Sequence, residues 1–323
     1  MSSCEPPDRE KALVWLSGEP GLPDLGENGL VRLEREVPQF SWTRIENKES
    51  FLRILPMARL ALVWTFRREW LDRANRLRLV STPAAGREMV EIRPLPDLDV
   101  WFGGFHGIFM AETAAALILA QVRGIRAGLD LAARGEAWPR EAVTAAMRPL
   151  RGSRVVILGF GRIGKWIGRL VKPFGVRLDG VTRNDCSRPA YFDRGDAVHR
   201  LEELDVLLPL ADHLVLALPG DGGTDRILDD RRLALLPRTA FVYNLGRGNA
   251  IDQAALARRL ERGELAGAGL DVFEQEPIPA GDPILRAPNL IRLPHVSAFA
   301  PGYMDAYLDE FVERLRRKGS ARQ

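Results

Sequence analysis

At 323 residues the chain exceeds what one hydrophobic core normally organises, so two domains are expected. Hydrophobic residues make up 46% and charged residues 28%, with both signs interspersed, which excludes an extensively disordered chain. A net charge of +3 over this length is too weak a field for nucleic-acid binding, and two cysteines, Cys4 and Cys186, are too few for a disulfide framework or a cysteine-built metal site.

The N-terminal segment carries Glu5, Asp8 and Glu10 with two prolines, where a secretory leader needs a basic start and an apolar run. No export is expected, and a reducing, cytoplasmic compartment is. Apolar runs at 12–16, 60–64, 77–80 and 98–102 read as strands, separated by segments of helical spacing at 50–57 and 69–76. The apolar helix predicted at 107–122 contains Glu112 and Thr113 and falls short of the roughly 20 apolar residues of a bilayer span. It reads as a buried helix, not a membrane anchor. It also offers more apolar surface than one subunit needs, so a homodimer pairing through it is expected. Gly135, Trp138, Pro139 and Pro149 mark loops over 134–151. Beyond them, buried strands are predicted at 155–158, 177–181, 213–218, 239–244, 266–272 and 290–293. Strands alternating with helices imply parallel sheets covered on both faces. The chain closes with an amphipathic pattern at 303–318, whose Tyr307, Phe311 and Leu315 need a surface to cover; a return to the first domain is expected.

Gly159-Phe160-Gly161-Arg162-Ile163-Gly164 follows an apolar strand and opens a helical stretch that stops at Pro173. The first glycine permits a tight turn, the second lets backbone approach a pyrophosphate, and the third lets helix pack on strand. The helix N-terminus, with Arg162 and Ile163 in its first turn, offers N–H groups to the anion. A dinucleotide site is expected here.

Three later blocks carry a family resemblance. Tyr243-Asn244-Leu245-Gly246-Arg247-Gly248, then Gly269-Leu270-Asp271-Val272-Phe273-Glu274-Gln275-Glu276-Pro277, then Leu293-Pro294-His295-Val296 resemble, in order and spacing, the signatures of the D-isomer-specific 2-hydroxyacid dehydrogenases. Gly104-Phe105-His106-Gly107 and the loop 82–88 resemble that family's first crossover and substrate loop, so the likeness covers most of 77–297. It implies two doubly wound α/β domains. A flavodoxin-like substrate domain would comprise 1–103 and 297–323, a Rossmann cofactor domain 104–296, and the active site would lie in the cleft between them.

The resemblance also implies that Arg247, Glu276 and His295 form the catalytic set. The chemistry asks for such a set independently. Reducing a 2-oxo acid requires a cation to hold the carboxylate and polarise the carbonyl, which the planar arginine fork suits. It also requires an acid for the forming alkoxide, and histidine titrates near neutrality. A carboxylate beside the imidazole favours its charged form; Glu274 is the nearest competitor to Glu276 for that role. By the same resemblance Leu218, Pro219, Thr224, Leu245, Gly246, Arg247, Asp271 and His295 line the dinucleotide, with Asp271 near the carboxamide. Ala85, Gly86, Gly103, Gly104 and Arg247 would meet the substrate, a small 2-oxo acid such as glyoxylate or hydroxypyruvate.

Two rivals share the scaffold. Formate or phosphite dehydrogenases carry glutamine where this chain has Glu276, which argues against them. A dinucleotide-sensing, corepressor-like protein would keep the catalytic set, but disordered extensions are not recognisable here. The remaining histidines, His106, His199 and His213, lack metal-ligand spacing. Two features depart from the family: the tail after His295 is short and basic at 314–318, and Trp101-Phe102-Gly103 is apolar where polar residues often precede the Gly-His turn.

Cofactor choice rests on the end of the second Rossmann strand, where an NAD enzyme carries an acid for the ribose 2′-hydroxyl. Here the strand runs into Thr182, Arg183 and Asn184; Asp179 lies too early and Asp185 past the turn. Thr182 and Arg183 suit a 2′-phosphate, so NADP is the expected preference, with NAD possible.

Overall fold

A computed structural model describes residues 9–18, 21–220 and 222–320. Cys4, Glu5 and Asp8 lie outside the described residues. The chain forms two compact units, Met1–Phe105 with Ala300–Gln323, and His106–Phe299.

The first unit is built on five parallel strands: β1 (Glu10–Trp15), β2 (Phe40–Arg44), β3 (Ala58–Val63), β4 (Leu79–Thr82) and β5 (Asp99–Phe102). Their order, β2-β1-β3-β4-β5, is the flavodoxin-like one. Helices α1 (Gly26–Glu36) and α2 (Lys48–Ile54) are the crossovers. α2 starts where the Asn47 side chain accepts the Ser50 N–H, a standard N-cap. The stretch expected to be helical at 69–76 is a short 3-10 segment, Arg68–Arg73, that buries Trp70 beside Phe51 and Phe66.

The C-terminal helix, Tyr303–Ser320, completes this unit. Phe311 packs edge-on against Trp42 and Trp101, and the buried Tyr307 hydroxyl hydrogen-bonds Ser81 at 3.0 Å. The basic tail secures the docking: Arg314 donates to the Phe102 carbonyl and lies over the Trp101 ring, while Lys318 pairs with Asp99. The apolar stretch Trp101-Phe102 is therefore partly a platform for this helix.

The second unit opens with α3 (Gly107–Val122), α4 (Ile125–Ala133) and α5 (Arg140–Ala146). It continues through β6 (Arg154–Leu158), α6 (Arg162–Val171), β7 (Arg177–Thr182), β8 (Ala197–Arg200), α7 (Leu204–Leu207), β9 (His213–Leu216), α8 (Asp230–Leu233), β10 (Phe241–Asn244), α9 (Gln253–Glu261), β11 (Gly267–Leu270) and β12 (Leu290–Arg292). All seven strands are parallel, in the order β12-β11-β10-β9-β6-β7-β8. The strand order reverses between β6 and β9, the switch point where Rossmann sheets bind dinucleotides.

α3 differs from expectation in what it leaves exposed. Met110, Ala111, Ala114, Ala115, Leu117, Ile118 and Val122 are all buried, and the helix packs against α6, β10 and β11. Most of its apolar surface is spent inside the unit, with Ile108, Phe109, Leu119 and Ala120 left half-buried. A group of exposed apolar side chains lies just downstream: Ile125 and Leu129 on α4, Trp138 at 84% exposure, and Met147 after α5. Among the described residues no single helix is long and apolar enough to cross a membrane.

Candidate active site

The glycine motif lies at the carboxyl end of β6, beside the switch point. Gly159 has φ of +97°, and a Cβ there would lie 2.6 Å from the Ala217 carbonyl oxygen, so only glycine joins β6 to the loop after β9. At Gly164 a Cβ would overlap the Gly159 carbonyl, which is the close helix-on-strand approach. Gly161, by contrast, faces open space and is the N-cap of α6, where no side chain caps the helix. Arg162 is exposed and Ile163 half-buried in the first turn. An uncapped ten-residue helix behind an open glycine cradle fits a pyrophosphate.

The neighbouring loops close around this end of the sheet. Leu218 is buried after β9, Pro219 is exposed, and the buried Thr224 hydroxyl donates to the Pro219 carbonyl at 2.7 Å. Gly246 fits the next loop against them, since its Cβ would lie 2.5 Å from the Leu218 carbonyl oxygen; Leu245 beside it is buried. Asn244 braces this loop with both ends of its amide, accepting the Gly246 N–H at 3.0 Å and donating to the Arg247 carbonyl at 2.9 Å. Arg247 is half-buried there, with Nη1 donating to the Gly246 carbonyl at 2.8 Å.

His295 and Glu276 meet directly. Nδ1 of His295 lies 2.7 Å from Glu276 Oε2, while Oε1 of the same carboxylate accepts the Phe273 N–H at 3.0 Å. Burial pushes the Glu276 carboxyl up, but the His295 and Phe273 hydrogen bonds outweigh it and leave its pKa below the usual carboxylate value. The same bond raises His295 against the opposing effects of burial and of the Arg247 charge. Glu274 is turned elsewhere, accepting from the Gln253 N–H at 3.4 Å and pairing with Arg226 at 3.6 Å.

Asp271 is fully buried at the end of β11, and backbone occupies its carboxylate: Oδ1 takes the Val296 N–H and Oδ2 the Ser297 N–H. It caps the turn that carries His295. Gly248 has a matching role in the other direction, because a Cβ there would overlap the Phe273 backbone. The Arg247 loop and the Glu276 loop are thus in van der Waals contact. Neither Asn244 nor Gly248 was assigned a role from sequence; the only signals were a polar residue ending a buried strand and a glycine after an arginine.

In the first unit the two expected substrate loops are joined, since the Gly103 N–H donates to the Ala84 carbonyl at 3.0 Å. Ala85 is exposed and Gly86 half-buried after β4, and the Gly104 N–H donates to Glu310 at 2.8 Å. Thr182 ends β7, its hydroxyl accepting the Asn184 N–H, and Arg183 is exposed. Asp179 is fully buried between Arg154 at 2.6 Å and His199 at 2.7 Å, which commits it to the interior. His213 is buried against Phe241 and Tyr243, and burial lowers its pKa to about 4. Among the described residues no group of three His, Cys, Asp or Glu is placed to hold a metal.

The chain is 30% identical over 287 residues to a glyoxylate reductase of Pyrococcus furiosus, covering 84% of this chain and 83% of that one. It is 31% identical over 243 residues to the glyoxylate reductase of Korarchaeum cryptofilum, covering 71% and 69%. A D-isomer specific 2-hydroxyacid dehydrogenase from Xanthobacter autotrophicus Py2, solved with NADPH and MES, superposes with a TM-score of 0.77 at 27% identity over 95% of both chains. Residues 115–297 match the NAD binding domain of the D-isomer specific 2-hydroxyacid dehydrogenases. With the nicotinamide-binding fold and the matching signatures in place, the chain belongs to that family of oxidoreductases, which act on CH–OH donors.

Proposed function

We propose that the protein reduces a small 2-oxo acid of the glyoxylate or hydroxypyruvate kind to the D-2-hydroxy acid, with NADPH preferred to NADH. The observation that carries this reading is the 2.7 Å pair between His295 and Glu276. It favours the imidazolium form of His295, which can protonate the alkoxide oxygen through Nε2. A bound nicotinamide would supply the hydride that the carbonyl carbon accepts. Arg247 holds the substrate carboxylate and polarises the carbonyl, and Glu276 keeps the ring charged and oriented. The loops bearing Ala85, Gly86, Gly103 and Gly104 are the substrate-recognising part of the first unit. Cofactor residues are the glycine motif with Arg162 and Ile163, then Thr182, Arg183, Leu218, Pro219, Thr224, Leu245 and Gly246. Asp271, which caps the turn that carries His295, keeps the place beside the cofactor carboxamide that the family pattern implies.

The cofactor preference is supported by Thr182 and Arg183 where an acid would favour NADH. A homodimer is proposed through the segment that follows α3, where Ile125 and Leu129 of α4, Trp138 before α5 and Met147 after it are exposed. A reducing, cytoplasmic setting suits a chain with two cysteines.

The test is a panel of glyoxylate, hydroxypyruvate, pyruvate, phenylpyruvate and 2-oxoisocaproate, followed by NADPH and NADH absorbance. Turnover of the first two with the higher kcat/KM on NADPH is expected. No turnover of any would favour a dinucleotide-sensing protein.

A further inference from the structure

β7 ends at Thr182 and the chain turns at once, the Asn184 N–H donating to Thr182 Oγ1 at 3.2 Å. Asp185 follows three residues after Thr182 and is the only acidic residue between Asp179 and Asp193. A carboxylate near this strand end favours a free ribose 2′-hydroxyl and repels a 2′-phosphate. The loop therefore holds a residue opposed to the cofactor proposed above.

Arg200 ends the edge strand β8 and stands in parallel register with Thr182. Its guanidinium reaches across the loop. Nη1 donates to the Arg183 carbonyl at 3.0 Å, and Nη2 forms an ion pair with Asp185. Its backbone is anchored as well, the Arg200 N–H donating to Glu203 Oε2 at 2.8 Å. The Asp185 side chain is 95% exposed and that of Arg200 50%, so this pair contributes little to stability. Its effect falls on the local field where Thr182 and Arg183 meet the cofactor.

We propose that Arg200 is a positioning residue for cofactor selectivity, which neutralises and holds Asp185 away from the 2′-phosphate of NADPH and fixes the Arg183 backbone. This rests on the NADPH preference proposed above. The pair is a masked acid: with Arg200 in place the loop reads as basic, and without it as mixed.

Calorimetric titration of NADPH and NADH into the wild type, Arg200→Gln, Asp185→Asn and the double variant tests this without turnover. Arg200→Gln is expected to raise the NADPH Kd about five- to tenfold while moving the NADH Kd by less than about twofold, with the difference shrinking as salt is added. Adding Asp185→Asn to Arg200→Gln restores most of the NADPH affinity. Equal weakening of both dinucleotides would make Arg200 merely structural and overturn the proposal, as would a double variant no better than Arg200→Gln. A wild type that prefers NADPH with Arg200→Gln unchanged overturns the role of Arg200 alone. A wild type that prefers NADH overturns the cofactor reading, and this proposal with it.

Discussion

Asp271 holds His295 by its backbone: the Asp271 carbonyl accepts the His295 N–H at 2.8 Å, and its carboxylate takes the N–H groups of the next two residues at 2.8 and 2.9 Å. His295 has φ of +57°, a left-handed conformation that non-glycine residues seldom adopt and that costs about 1–3 kcal/mol, so it persists only where its surroundings impose it. Asp271→Asn keeps the volume but sets an amide N–H₂ against a backbone N–H. Loss of one such buried, charge-assisted contact should lower stability by about 1.5–3 kcal/mol and reduce kcat as the His295 turn relaxes. Thermal melts and steady-state kinetics check both; an unchanged kcat with a lowered melting temperature would show that the turn does not depend on Asp271.

Glu276→Gln removes the main cause of the raised His295 pKa. Reduction needs the imidazolium, so its rate falls as pH rises through that pKa. The alkaline limb of the kcat/KM profile should therefore move to lower pH in the variant. The native pair also adds stability between the lowered Glu276 pKa and the raised His295 pKa. That contribution is lost above the window as the ring deprotonates and below it as the carboxylate protonates. With the side chains 37% and 47% exposed the stabilisation is small, and the kinetic limb is the more sensitive measurement.

Arg247→Ala and His295→Ala should fail differently. Losing the guanidinium removes both carboxylate binding and carbonyl polarisation, so KM rises and kcat falls. Losing the imidazole removes the proton donor, a contribution of roughly 10²–10⁴-fold, mainly in kcat. Near wild-type kcat in His295→Ala would require another acid.

Gly248→Ala tests the contact between the Arg247 and Glu276 loops. The methyl group has no space against the Phe273 backbone, and Phe273 supplies the N–H that Glu276 accepts. A single methyl should therefore reduce kcat/KM by at least about tenfold, an amount equal to about 1.4 kcal/mol. Full activity in Gly248→Ala would mean the two loops adjust independently.

The interior strands are legible in sequence because a parallel strand buried on both faces must be a continuous apolar run. β6, β9 and β10 are such runs, with every residue from Val155 to Leu158, His213 to Leu216 and Phe241 to Asn244 buried. β2 and β8 are edge strands whose residues, Phe-Ser-Trp-Thr-Arg and Ala-Val-His-Arg, are largely half-exposed, so neither stands out from a loop. α5 lies inside the stretch read as loops because Trp138 and Pro139, taken there as breakers, directly precede its first turn. In the site, the pairing of His295 with Glu276 was legible through the resemblance of their two blocks to the family's signatures. The bracing by Asn244, Asp271 and Gly248 was not, since it depends on backbone groups that composition does not display.

The C-terminal helix bears on the order in which the chain acquires its structure. The second unit is one continuous segment and holds all its strands before residue 300 emerges from the ribosome. The first unit begins earlier but still lacks the Tyr303–Ser320 helix that covers Trp42, Trp101 and Ser81. Its sheet is therefore exposed on that face throughout synthesis of the unit that follows, and the part translated first is the last to be complete.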